Sequence, residues 1–92
     1  NVSGFMANSG LVYLITSGGK KYLMDQTLDD IMKELDPEKY YRTNRQFILA
    51  YNAIERVHKF GKSKLLVETN FSHDDQIIVS SEKATAFKQW LG

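Results

Sequence analysis

Short apolar runs separated by polar punctuation organise this 92-residue chain. Leu11 to Thr16 (Leu-Val-Tyr-Leu-Ile-Thr) is β-branched and aromatic, a composition that fits a pleated, half-buried surface, and it predicts a strand. Val2 to Ala7 before it predicts a short or frayed strand, with Asn8-Ser9-Gly10 as the intervening turn. Ser17-Gly18-Gly19-Lys20 predicts a tight hairpin, since glycine tolerates positive φ, and Lys21 to Met24 returns from it. The period then changes. Leu28, Ile31, Met32 and Leu35 fall at i, i+3, i+4 and i+7, one apolar stripe of a helix. Thr27 is its candidate cap, and Asp30 puts an acid in the first turn, where the helix dipole favours it. That helix has to end before Pro37, whose ring disfavours helical angles at Asp36.

The second half begins with Tyr40-Tyr41 and a polar knot, Arg42-Thr43-Asn44-Arg45-Gln46. Phe47 to Tyr51 follows as an uninterrupted apolar run, which predicts a strand buried on both faces. Asn52-Ala53 reads as a break or bulge, and the three-residue spacing of Ile54 and Val57 does not suit a straight strand. Phe60 to Ser63 predicts a hairpin turn and Lys64 to Phe71 the return strand, alternating except at Leu66. After the polar loop Ser72-His73-Asp74-Asp75, Ile77 to Val79 predicts a last strand. Ser80-Ser81-Glu82-Lys83 then opens a closing helix with Ala84, Phe87 and Leu91 on one face and Trp90 beside it. The fold class is mainly β, or β-rich α+β: short antiparallel strands in small sheets with two short flanking helices.

Length and composition narrow what such a fold can do. Ninety-two residues make a single domain. No window approaches the roughly 18 apolar residues of a membrane span, and a cytoplasmic location with no membrane partner is expected. There is no cysteine, so disulfides and thiolate chemistry are excluded. His58 and His73 sit at no metal-ligand spacing, Gly18-Gly19 lacks the Walker spacing, and no G-x-S-x-G elbow occurs. The expectation is a protein without catalysis, metal or cofactor. The opening residue is Asn1, which suggests a piece of a longer chain.

Net charge is only +1, but its distribution is uneven. Residues 25–39 carry two basic and six acidic groups, whereas residues 40–66 carry six basic and one acidic. The positive block surrounds the knot. Arginine forks and carboxamides match phosphate oxygens and base edges in hydrogen-bond geometry, so a binding site carried on a rigid strand is indicated.

The run Tyr41-Arg42-Thr43-Asn44-Arg45-Gln46-Phe47-Ile48-Leu49, followed by Asn52 and Ile54, resembles the central signature of the LytTR family. Tyr22 to Leu35 and Ile77-Ile78-Val79-Ser80 with its closing helix fit the same pattern in the same order. These are DNA-binding output domains of bacterial response regulators, and the resemblance implies a β-dominated fold whose loops, not a recognition helix, enter the grooves. It places the first loop at Asn8-Ser9-Gly10-Leu11, the second at Asn44-Arg45-Gln46 and the third at Ser80-Ser81-Glu82-Lys83. Arg45 and Asn44 are then expected at base edges or in a groove. Gln46, Arg42 and Lys83 are expected at phosphates or holding the loop. Ser81 departs from the family pattern, where an arginine is usual. The resemblance also implies double-stranded DNA with repeated promoter half-sites as partner, a homodimer in the full-length protein, a preceding receiver domain, and a chain that starts inside the family pattern.

Two other readings use different residues. A protein-interaction module would present the acidic helix and an exposed Trp90. Single-strand or RNA binding would stack bases on Tyr13, Tyr22, Tyr40 and Tyr41.

Overall fold

Alternation along Phe47-Ile48-Leu49-Ala50 decides the layers. All four residues are buried, the first three with no exposure at all, so this strand has protein on both faces. Phe47 and Leu49 point into a larger core with Leu65, Val67, Ile77, Val79 and Phe87. Ile48, on the opposite face, joins Phe5, Leu28 and Ile31 in a smaller one. A period of two feeds two cores from one strand.

The computed structural model describes residues 1–92. In chain order it contains β1 (Val2–Asn8), β2 (Leu11–Thr16), β3 (Lys21–Met24), α1 (Leu28–Glu34), β4 (Tyr40–Arg42) and β5 (Phe47–Ala50). A 3₁₀ turn (Tyr51–Ala53) leads to β6 (Ile54–Phe60), β7 (Lys64–Thr69), β8 (Ile77–Val79) and α2 (Ser81–Leu91). All pairings are antiparallel. Five strands form one sheet in the order β3-β2-β1-β5-β4, and three form a second in the order β6-β7-β8. Helix α1 covers the outer face of the first sheet, while α2 packs with the second sheet against its inner face. The expected β-rich fold with two short helices is what forms.

Most elements lie where their patterns place them. Thr27 caps α1, its hydroxyl accepting from the Asp30 amide at 3.1 Å. The apolar residues Ile54 and Val57, three apart, are reconciled by a bulge between Ile54 and Arg56, which restores both to one face. Ser80 occupies the N-cap of α2, but its hydroxyl makes no capping hydrogen bond.

Three boundaries differ. The strand from Phe47 ends at Ala50, because Tyr51 already belongs to the 3₁₀ turn and is half exposed. The return strand ends at Thr69, and the chain folds over it so that Phe71 is still buried. Val2 to Ala7 is neither frayed nor an edge: β1 lies in the middle of the larger sheet, between β2 and β5. Its partner β5 is more than forty positions away in sequence, so no local pattern could report the pairing.

Gly4 makes that central position possible. A methyl group there would collide with the Ile48 carbonyl oxygen, a backbone atom that cannot swing aside. Replacing Gly4 by alanine forces β1 and β5 apart and is expected to lower the unfolding free energy by about 1–3 kcal/mol. Urea unfolding followed by Trp90 fluorescence measures this, and an unchanged midpoint would show that the strands can adjust.

Candidate nucleic-acid interface

β5 runs antiparallel to β1, so the residues before β5 lie beside the end of β1. The Ala7 amide donates to the Gln46 carbonyl at 2.8 Å, and this ties the second loop to the first. The Gln46 side chain reinforces the tie, donating from Nε2 towards the Ala7 carbonyl at 3.5 Å and to Asp75 Oδ2 at 3.1 Å.

Asn44 holds the knot's shape. Its Oδ1 accepts from the backbone amides of Gln46 at 2.8 Å and Phe47 at 3.0 Å, groups that the end of the strand would otherwise leave without partners. Its Nδ2 donates to the Ile78 carbonyl at 3.0 Å, which reaches the smaller sheet. One carboxamide thus closes the turn and bridges both sheets. Thr43 is fully buried, and its hydroxyl donates to the Phe47 carbonyl at 3.2 Å.

Arg42 supports the knot from the other side. Its Nε donates to the Asn44 carbonyl at 2.8 Å and its Nη2 to the Arg45 carbonyl at 3.2 Å. Nη1 pairs with Asp29 on α1. The rigid guanidinium fork uses three corners to fix two carbonyls and one helix. With the Asp29 side chain 82% exposed, the ion pair adds little stability in itself; its effect is on orientation.

These contacts sort the expected site residues. Arg42, Asn44 and Gln46 are occupied inside the protein, although Asn44 keeps a second amide N–H. Arg45 is exposed. The ion pairs of the structure involve Lys33, Arg42 and His58, so the Arg45 guanidinium has no carboxylate partner. Arg45, Lys83 and Ser80 line one hollow of about 290 Å³ with Asn44 and Lys64, and no acidic side chain borders it. Ser81 is exposed beside it at the start of α2. Asn8 and Ser9 are exposed on the Gln46 side, joined by a 3.3 Å hydrogen bond from the Ser9 hydroxyl.

Two participants escaped the sequence reading. Lys64 reaches the hollow because the register Leu66↔Ile78 sets it level with Ser80, a long-range pairing with no local signal. Asp29 looked like one more acid on a wet helix face, and nothing in its spacing pointed to Arg42.

The whole chain, residues 1–92, matches the family model for the LytTr DNA-binding domain. The chain belongs to that family. A solved LytTr DNA-binding domain, from a Bacillus cereus protein named as a methyl-accepting/DNA response regulator, superposes with a TM-score of 0.81 at 21% identity. The match covers 99% of this chain and 81% of the other, and at that identity it shows a shared fold. No curated protein sequence matches closely enough to add a relative.

Within this LytTr domain the surface needed by the interaction reading is altered. Trp90 is half-buried, donates from Nε1 to the Pro37 carbonyl at 2.8 Å, and packs against Tyr41, Phe87 and Tyr51 with ring centroids 5.0–6.1 Å apart. The tyrosines of the stacking reading are dispersed in the same way. Tyr41 lies against Phe87 and Trp90, Tyr40 against Phe5 and Tyr13 against the larger core, which leaves Tyr22 as an exposed ring. No helix is long and apolar enough to cross a membrane.

Asn44→Ala leaves two backbone amides and one carbonyl without their partners. It is expected to cost about 1–3 kcal/mol in stability and to raise hydrogen exchange at Gln46 and Phe47 well before global unfolding. Exchange confined to global unfolding in the variant would show that the turn holds without the carboxamide.

Proposed function

We propose that this LytTr domain binds double-stranded DNA sequence-specifically through its three clustered loops, as the output module of a transcriptional response regulator. The observation that carries the reading is the exposed, unpaired Arg45 held over a carboxylate-free hollow with Lys83, Lys64 and Ser80. Its base is held by Asn44 and Arg42, so little conformational freedom remains in the backbone beneath the guanidinium. That preorganisation favours a directional contact over a diffuse one. Arg45 is the base reader, through a bidentate contact of the kind an arginine makes with guanine. Lys83 and Lys64 take phosphates, with Ser80 and Ser81 as shorter-range donors. Asn8 and Ser9, at the far side of Gln46, meet the adjoining backbone. Asn44, Arg42 and Gln46 position the reader.

With Ser81 where an arginine is usual in the family, specificity rests on Arg45. The full-length protein is proposed to act as a homodimer on repeated promoter half-sites under the control of a receiver domain, an arrangement in which dimer symmetry sets half-site spacing. The family membership and the name of the Bacillus cereus relative support DNA binding in a response regulator.

Selection of bound duplexes from a random pool supplies the ligand. Arg45→Ala is expected to reduce discrimination between the selected and a scrambled duplex by about 1–3 kcal/mol, roughly 5- to 150-fold, as measured by fluorescence anisotropy. Equal loss on both duplexes would assign Arg45 to phosphate, and absence of duplex binding by the unaltered domain would end the proposal. Asp29→Ala gives a test of opposite sign to simple electrostatics. Removing a negative charge should strengthen binding to a polyanion, yet loss of the Arg42 anchor is expected to weaken binding to the selected duplex by several-fold. A gain in affinity on that duplex would show that Asp29 does not position the reader.

A further inference from the structure

A second basic concavity, of about 430 Å³, lies between the β6–β7 hairpin and α2. Lys59 and Lys64 border it from the hairpin and Lys88 from the helix, together with Ser63, Ser81 and Thr85. Register and helical period explain the convergence. Lys59 pairs with the buried Leu65, so it lies on the sheet face that carries α2. Ser81, Thr85 and Lys88 are spaced i, i+4 and i+7, one stripe of the helix, turned to the same cleft.

The charges here are unbalanced. None of the three lysines has a carboxylate within ion-pair distance, and no acidic residue borders the cleft. Lys33, on α1, differs in lying within 3.9 Å of Asp30. Lys59 and Lys88 bring two uncompensated charges to one concavity, with Lys64 at its rim, and concentrate positive potential there. The cleft is also continuous with the reading surface. Lys64 borders both concavities, and Ser80 of one adjoins Ser81 of the other.

We infer that this cleft is a phosphate-binding groove that carries the sugar-phosphate backbone of the same duplex beyond the bases read by Arg45. The inference rests on the duplex-binding reading. Ammonium groups on flexible stems suit it, since they act as point charges and impose no base preference. The hydroxyls of Ser63, Ser81 and Thr85 add donors to the same oxygens. The groove therefore contributes affinity and salt dependence, while discrimination stays with the loops.

Lys59→Gln/Lys88→Gln tests this, because these two residues border the groove and not the hollow beneath Arg45. Each phosphate contact contributes about 0.9 to the slope of log K against log salt, so the slope for the selected duplex is expected to become shallower by about 2. The ratio between selected and scrambled duplexes is expected to stay constant. Lys20→Gln/Lys21→Gln removes the same charge at the β2–β3 turn, which lies at the opposite end of those strands from Asn8–Ser9, and is expected to leave the slope unchanged. Equal slopes for the two double variants would overturn the groove. Loss of discrimination in Lys59→Gln/Lys88→Gln would overturn its separation from the reading site. If the unaltered domain shows no salt-dependent duplex binding, both the groove and the reading on which it rests fall. Acetylation of the unaltered complex gives a measurement independent of any variant: Lys59 and Lys88 are expected to be protected by duplex and Lys20 and Lys21 to stay reactive. Uniform reactivity would again overturn the groove.

Discussion

A strand buried on both faces cannot simply stop, because the backbone groups beyond its last ladder pairing still need partners. At the start of β5 that demand is met by the Asn44 carboxamide, which receives two amide protons and donates to Ile78 in the other sheet. The rest of the site follows from this. A turn tied to both sheets has a fixed path, and the residue between its two anchors, Arg45, has nowhere to go but outward. The same requirement explains why polar residues gather here, the buried Thr43 among them, beside a core of apolar side chains. They complete the strand, and the turn they close leaves Arg45 exposed.

Similar side chains in the knot divide between bracing it and standing free of it. Arg42 and Arg45 are three positions apart, yet one is fastened at three points and the other at none. Asn44 and Gln46 face opposite sides of the knot, one toward β8 and one toward β1. Two carboxylates, Asp29 and Asp75, flank the knot and are held by Arg42 and Gln46. They confine the unbalanced positive charge to the side bordered by Lys64 and Lys83.

Most strands and both helices were legible because they follow local rules: β-branched runs, the Leu28–Leu35 stripe, the Thr27 cap and the glycine-bearing turns. β4 (Tyr40–Arg42) was not, since its last residue, Arg42, lies in what reads as a polar knot. The knot was legible as a cluster of polar chemistry, but that Arg45 alone among its members is exposed was not. What local pattern could not convey was connectivity. β1 reads as a weak terminal strand, and only its pairing to β5 makes it central. Lys64 reads as a wet alternation, and only the β7–β8 register brings it to Ser80. Arg42 was expected at phosphates or holding the loop, and its three contacts inside the protein hold the loop; those of Asn44 close the turn, a role that residue type alone does not convey.

The strand order has a consequence for how the protein matures. The knot is fastened by β1, α1 and β8, elements drawn from both ends of the chain, and its anchoring in the second sheet requires that sheet to be docked. Until that docking the Arg42–Gln46 segment lacks its anchor to Ile78. The knot reaches its final geometry only when β8, the last strand of the chain, has closed against it.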